Sequence, residues 1–222
     1  MPELAAAYPA RVRLKFPQRW MSALTLAVSR GAGVVAQVCV QIAVGALGGP
    51  AALGLLQLLT SWTALLGEVL GIGYPTRAMR DAAVLSASGQ PSAVRRTLRK
   101  AARRIALAGL GLAITLCTMF VIIGNSTPDV DRALIVALAM AAPLFALSRL
   151  WSEALKGLQR PLIAVTLENL TTPIALLTLC GALALAQRTL GRELLLLGAV
   201  VGVAATAALS LVALHRRLVG LH

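Results

Sequence analysis

One arginine lies inside an apolar stretch near the start of the chain. Arg30 interrupts residues 23–47, a predominantly apolar run of 25 residues, and about 20 helical residues suffice to cross the hydrocarbon core of a bilayer. A charged side chain there costs about 3 kcal/mol or more, so it usually faces a protein interior or a water-filled cavity. Gln37 and Gln41 follow seven and eleven positions later, which puts all three on one helical face. This polar stripe predicts a binding cavity or a translocation pathway.

The next apolar run carries a second polar stripe. Ser61 and Glu68 follow Gln57 by four and eleven positions, which again puts the three residues on one helical face. A short Gly-Gly-Pro turn at residues 48–50 joins the two runs, which makes them antiparallel neighbours. Because an ion inside a membrane usually finds an opposite charge, we expect Glu68 to compensate Arg30. The two stripes together would line one cavity.

Each polar residue also has a structural interpretation. Arg30 can snorkel towards the membrane surface or close a structural ion pair instead of lining a cavity. The glutamines of both stripes can join helices by hydrogen bonds. Glu168, which lies in a later apolar run beside Asn169, fits a structural role better than a catalytic one because its depth is shallow.

The composition places the chain among membrane proteins. It is 58% hydrophobic and 13% charged, with a mean hydropathy of +0.82, whereas soluble domains carry about 25% charged residues. The net charge of +13 would favour nucleic acid in a soluble protein. Here the basic residues flank apolar segments, so they indicate membrane orientation, and no nucleic-acid partner is expected.

The fold class that follows is all-α and integral to the membrane, with six transmembrane helices. A cytoplasmic segment (1–22) precedes a six-helix region (23–214), and a cytoplasmic tail (215–222) follows. No cleavable signal peptide is expected, because the first apolar run is too long for one. The predicted spans are residues 23–47, 51–72, 105–123, 133–155, 162–185 and 194–214.

The basic residues predict the orientation of these spans. With the loops alternating between sides, 17 Lys and Arg fall on one side of the membrane and 3 on the other, and Arg30 completes the set. The positive-inside rule then puts both termini in the cytoplasm and the protein in the cytoplasmic membrane. Spans three, four and six contain few polar residues, so we expect them to form scaffold.

The long connection between spans two and three contains a basic amphipathic segment, residues 92–104. A turn at residues 89–92 with Ser92 as the helix N-cap is expected to begin it. Val94, Leu98, Ala101 and Ile105 recur at helical spacing, and basic residues occupy much of the remaining surface. The segment can lie on the anionic inner leaflet, or it can be a solvated cluster with no specific ligand.

Catalytic chemistry is not apparent in the sequence. The two histidines, His215 and His222, lie at the extreme C-terminus, and Asp129 and Asp131 are isolated on a short loop. No metal-ligand spacing, phosphate-binding glycine loop or nucleophile motif is present. We therefore expect no enzyme activity, no metal and no cofactor.

Three motifs resemble a known transporter family. Residues 46–54 (ALGGPAALG) are similar to the first outer turn of polysaccharide-type lipid-linked oligosaccharide flippases, which belong to the multidrug/oligosaccharidyl-lipid/polysaccharide (MOP) exporter superfamily. Residues 71–80 (GIGYPTRAMR) resemble the glycine-rich end of their second helix. Residues 155–161 (LKGLQRP) resemble the basic turn between their helices four and five. The resemblance extends over most of the chain, from Trp20 to Arg217.

The resemblance implies one lobe of a V-shaped transporter that moves a lipid-linked oligosaccharide, or another amphiphilic anion, between membrane leaflets by alternating access. Arg30 would hold the lipid diphosphate, and Arg77 and Arg80 would lie at the cytoplasmic entrance. Glu68 or Glu168 would couple transport to a proton or cation. Family members have two such lobes, so this lobe is expected to need a second one, from another copy or another chain.

Two other functions fit the same residues. The chain can be a lobe of a small-molecule exporter from the same superfamily. A cavity rich in aromatic and carboxylate side chains would favour this function. It can also be a membrane assembly protein that transports nothing, if the polar stripes only pack helices together. Membrane lipids are expected partners in every case.

Overall fold

A computed structural model of the chain describes residues 16–124, 132–187 and 189–220. Within these ranges it contains helices and no strand, so the fold is all-α as predicted. Every helix except α2 is long and apolar enough to span a membrane. The helices are α1 (Phe16–Leu70), α2 (Tyr74–Ala87), α3 (Pro91–Gly124), α4 (Arg132–Gly157), α5 (Pro161–Leu185) and α6 (Arg192–Val219).

Helix α1 is folded back on itself at Gly49. This glycine has φ 72° and ψ −174°, and Pro50 follows it. Val34 and Thr63, 29 residues apart in sequence, line the same cavity, although a straight helix would separate them by about 43 Å. Helix α1 therefore consists of two antiparallel arms, a first arm (residues 16–48) and a second arm (residues 50–70).

Two apolar cores follow one another along the bundle. The hairpin-end core lies near Gly49 and contains Val40 and Val44 from the first arm, Leu56 and Leu59 from the second, and residues from α4, α5 and α6. The basic-end core joins α2, the first half of α3, the later part of α4, the start of α5 and the end of α6. We call these two ends of the bundle the hairpin end and the basic end.

The connection between the second arm and α3 differs from the expectation. Residues 74–87 form helix α2, which packs on α4 and α3. The contact with α4 is close, because a Cβ atom at Gly157 would collide with the backbone carbonyl of Met79. The sequence pattern did not predict this helix, because its apolar face consists mainly of small residues, of which Ala78 and Ala82 are buried.

The basic amphipathic segment and the third apolar run form one continuous helix, α3. The helix begins at Pro91. The carbonyl oxygen of Gln90 accepts hydrogen bonds from the backbone amides of Ala93 and Val94 in the first turn. Ser92 therefore lies inside that turn and is not the N-cap. Val94, Leu98 and Ile105 are buried. The six basic side chains around them are exposed: Arg95, Arg96, Arg99, Lys100, Arg103 and Arg104.

Several predicted features lie outside the described residues. They are most of the segment 1–22, the loop with Asp129 and Asp131, and the last two residues of the tail 215–222.

Replacing Gly49 with alanine tests the turn between the two arms. Its backbone conformation is nearly exclusive to glycine, so we expect Gly49→Ala to lower the free energy of unfolding by about 1–3 kcal/mol. Gly54→Ala is the matched control, because a Cβ atom there meets nothing within 4 Å and alanine favours an exposed helix. Thermal unfolding of the detergent-purified variants measures both changes. Equal stability of the two variants would contradict the assigned turn.

Candidate functional site

A cavity with polar side chains in its wall lies between the two apolar cores. It has a volume of about 530 Å³ and is bounded by both arms of α1 and by α4, α5 and α6. Leu59, Leu176 and Ala199 from the hairpin-end core form part of its apolar wall. The polar side chains of the wall come from the two arms of α1 and from α5: Arg30, Gln37, Thr60, Thr63, Glu168, Asn169 and Thr172.

Close packing between the first arm and α5 positions the polar wall. A Cβ atom at Gly33 would lie 2.7 Å from the Cβ atom of Asn169, so only glycine allows this approach. One helical turn towards the basic end, the hydroxyl groups of Ser29 and Thr166 are 3.0 Å apart and share a hydrogen bond. These contacts bring Arg30 to the same wall as Glu168.

Arg149 on α4 joins three helical segments by ion pairs. Its Nη2 atom lies 3.0 Å from Oε1 of Glu68 on the second arm, and its Nη1 atom contacts Oε1 of Glu168 on α5. About one third of the Arg149 side chain is exposed. The guanidinium thus compensates two carboxylates with directed hydrogen bonds, as is required of a charge in an apolar bundle.

Lys156 extends this group by two helical turns. Its Nζ atom lies 2.6 Å from Oε1 of Glu153 on the same helix and 3.3 Å from Oε2 of Glu168. Glu168 therefore contacts a different cation with each of its oxygens. We call Glu68, Arg149, Glu153, Lys156 and Glu168 the charge cluster.

The charge cluster and Arg30 balance one another. Three carboxylates and two cations leave the cluster with one negative charge. Arg30 lines the cavity together with Glu168 and supplies one positive charge. Among the described residues, Arg30 takes part in no ion pair. Its guanidinium is therefore not engaged by a carboxylate of the described residues.

The cavity wall also contains uncharged polar groups that can contact a ligand. The hydroxyl of Thr63 is buried in the cavity wall, and within the described chain it has no hydrogen-bond partner. The hydroxyls of Thr172 and Thr206 are 3.1 Å apart, so Thr172 is held against α6. No group of three His, Cys, Asp or Glu side chains in the described residues could hold a metal ion.

Only some residues of the first predicted stripe line the cavity. Arg30 and Gln37 line it, whereas Gln41 is half-buried and lies outside its wall. From the second stripe, Gln57 and Ser61 are exposed and also lie outside it.

Glu68 pairs with Arg149 and not with Arg30, so the expected partnership of Arg30 and Glu68 was wrong. At the basic end, the Nε atom of Arg77 lies 3.6 Å from Oδ2 of Asp81 on the same helix. Arg80, on the same helix, is exposed.

The sequence analysis missed Arg149 as a functional-site residue. Arg149 and Lys156 were counted among the 17 basic residues on the cytoplasmic side, and span four was expected to be scaffold, but α4 continues to Gly157. The spacing contained a usable signal, because Arg149, Glu153 and Lys156 are four and three positions apart and share one helical face. Their charges alternate along that face, which is typical of an ion-paired helix.

Compared with known proteins, the chain matches no model of a protein family, no curated protein and no solved structure.

Removing the Arg149 charge tests the cluster. Arg149→Gln leaves Glu68 and Glu168 with less compensation, so we expect the free energy of unfolding to fall by about 2 kcal/mol, less than for a fully buried pair because the site is partly exposed. Arg77→Gln is the control, since its exposed pair with Asp81 should contribute less than about 0.5 kcal/mol. Denaturant unfolding in detergent measures both. Equal losses in the two variants would show that Arg149 has no special role.

Proposed function

We propose that this chain is one lobe of a membrane transporter and that its central cavity binds an amphiphilic anion, with a lipid-linked oligosaccharide as the favoured substrate. One observation carries the proposal. Arg30 lines the cavity without an ion pair in the described residues, while Arg149 and Lys156 are already paired with carboxylates. An anion entering the cavity therefore meets one guanidinium that forms no ion pair with another described residue.

The electrostatics of the wall support this choice of ligand. Glu168 would repel an anion if its charge were uncompensated, but Arg149 and Lys156 both contact it. Arg30 can bind a phosphate with two parallel hydrogen bonds, which favours a diphosphate over a neutral ligand. Gln37 and the unpartnered hydroxyl of Thr63 add neutral donors for oxygen atoms of the headgroup or sugar.

The cavity is open along the first arm, which supports the requirement for a second lobe. Val34 lines the cavity and yet is 65% exposed. Neighbouring Val38 and Ile42 are exposed as well, so this face can receive either lipid or another protein. A second copy of the chain, or a related chain, would complete the opposite wall. Rocking of the two lobes would then expose the cavity to each leaflet in turn.

We assign six spans to the bundle, because each arm of α1 is long enough to cross the membrane. The arms extend over about 50 Å and about 32 Å at the helical rise, compared with about 30 Å of hydrocarbon. The basic end carries α2 and the basic half of α3, so the positive-inside rule puts it in the cytoplasm together with both termini. Arg77 and Arg80 then lie on the cytoplasmic side, where they would attract the anionic headgroup.

Glu168 is the proposed site of coupling to a proton. Protonation of its carboxyl group would weaken its contacts with Arg149 and Lys156 and would remove one negative charge from the cavity wall that also carries Arg30. Glu68 would remain the partner of Arg149. Substrate binding at Arg30 and proton binding at Glu168 would thus act on the same wall of the cavity.

One observation favours the alternative of a non-transporting assembly protein. The charge cluster connects α1, α4 and α5, so part of the polar stripe does pack helices together. Arg30 is not part of this cluster, and its role therefore separates the two functions. The small-molecule exporter has less support, because the only aromatic side chain in the cavity wall formed by the described residues is Phe145.

Replacing Arg30 tests the binding proposal. We expect Arg30→Gln to weaken binding of a polyprenyl diphosphate by about tenfold or more, since a charge-assisted hydrogen bond is lost. The thermal unfolding midpoint should stay the same, because Arg30 has no ion pair to lose. Titration of the purified full-length chain with farnesyl diphosphate measures the affinity. Arg104→Gln on the exposed face of α3 is the control for loss of one positive charge.

The uncharged analogue farnesol separates headgroup recognition from binding of the isoprenoid tail. The proposal requires that farnesol binds the original chain and Arg30→Gln equally. If Arg30→Gln binds farnesyl diphosphate as tightly as the original chain does, Arg30 does not bind the anion. If the variant instead loses its fold, Arg30 is a structural residue and the assembly function is favoured.

Cysteine labelling tests the orientation. In a chain whose native cysteines are replaced, we expect Ser92→Cys at the basic end to react with an impermeant maleimide only from the cytoplasmic side. Leu185→Cys at the hairpin end, where the leucine is 89% exposed, should react only from the opposite side. Intact cells and inverted vesicles provide the two sides. Reaction of both cysteines from one side would contradict the six spans.

A further inference from the structure

A second groove lies at the basic end, apart from the central cavity. It has a volume of about 550 Å³ and runs between the end of α4, the start of α5 and the end of α6. It shares no lining residue with the central cavity. Its wall has a cationic part formed by Arg160, Arg216 and Arg217, and an apolar part formed mainly by aliphatic side chains.

The described residues do not compensate the cationic part of the groove. None of their carboxylates lines the groove, and none of the three arginines forms an ion pair with one of them. The Nε atom of Arg217 is buried and has no hydrogen-bond partner in the described chain. A buried donor of this kind costs free energy unless a ligand or solvent satisfies it. The groove therefore favours an anion.

The start of α5 adds to the same potential. Arg160 is the N-cap residue of this 25-residue helix, and no side chain caps its first amides. The first turn contains no acidic residue. The partial positive charge of a helix N-terminus thus adds to the three guanidinium groups.

The apolar part of the groove is exposed where a lipid tail would lie. Ile163 is 41% exposed, and Leu209 and Val212 are each 47% exposed. These side chains belong to membrane-spanning helices and continue from the arginines towards the hairpin end. A free phosphate or a soluble metabolite would use only the cationic part, whereas a phospholipid would cover both parts at once.

We propose that this groove is a binding site for an anionic phospholipid of the cytoplasmic leaflet. The phosphate lies on Arg160, Arg216 and Arg217, and one acyl chain lies along Ile163, Leu209 and Val212. The site rests on the orientation proposed above, with the basic end in the cytoplasm, but not on transport. Its occupant satisfies Arg217 and attaches the start of α5 and the end of α6 to the membrane surface.

Binding of a phospholipid to the full-length chain in detergent tests the proposal. The probes are phosphatidylglycerol and phosphatidylcholine with identical acyl chains, detected as bound adducts by native mass spectrometry. We expect phosphatidylglycerol to bind at least about tenfold more tightly than phosphatidylcholine. The double variant Arg216→Gln/Arg217→Gln should lose about tenfold or more of this affinity.

The matched control is Arg103→Gln/Arg104→Gln, which removes the same charge from an exposed face of α3 outside the groove. It should keep the affinity for phosphatidylglycerol within about twofold. Equal losses in the two double variants would overturn the proposal in favour of diffuse electrostatic attraction. If Arg216→Gln/Arg217→Gln does not fold, Arg160→Gln takes its place, with the same expected direction and the same contradicting outcome.

Two further measurements separate the lipid from a simple anion and from the transport proposal. Ile163→Ser/Val212→Ser should weaken phosphatidylglycerol binding and leave binding of inorganic phosphate unchanged. Displacement of the lipid by inorganic phosphate at a similar concentration would show an anion site without an acyl chain and would contradict the proposal. Arg30→Gln should keep full phosphatidylglycerol binding. The lipid site can therefore be confirmed even if the proposal for the central cavity fails.

Discussion

The bundle depends on how the guanidinium of Arg149 is compensated among apolar helices. About one third of the Arg149 side chain is exposed, and an unpaired charge in the remaining apolar surroundings would be costly. Glu68 and Glu168 approach it from two other helical segments, and these contacts fix the relative positions of α1, α4 and α5. Glu168, whose side chain is 22% exposed, is in turn acceptable in the bundle because Arg149 and Lys156 both contact it. The three segments are therefore coupled by charge as well as by their apolar cores.

This compensation shapes the electrostatics of the central cavity. Glu168 in the cavity wall contacts Arg149 and Lys156, and Arg30 adds a positive charge to the same wall. The small residues at the contact between the first arm and α5, above all Gly33, bring these groups to one wall. The hairpin-end core borders the cavity through Leu59, Leu176 and Ala199, and polar side chains line the cavity beyond it. Arg30 is the basic residue of this wall, and it forms no ion pair with another described residue.

The helical content and the approximate positions of the apolar helices could be predicted, since they follow from local apolar periodicity and turn residues such as Gly49 and Pro50. The pairing within the site could not. Glu68 has no local feature that distinguishes Arg149 from Arg30, and the choice depends on how α4 packs against α1 and α5. Helix α2 was missed for a related reason, because its alanine face becomes a packing surface only against Gly157. Arg30 and Gln37 were found because a polar group in an apolar run is costly on its own helix.

A structure of the chain with a bound polyprenyl diphosphate, determined by cryo-electron microscopy, tests the central claim most directly. The account predicts that the diphosphate lies within hydrogen-bond distance of the Arg30 guanidinium and that Arg149 keeps its contacts with Glu68 and Glu168. A diphosphate bound to Arg149, with Glu168 displaced and Arg30 turned away from the cavity, would contradict it.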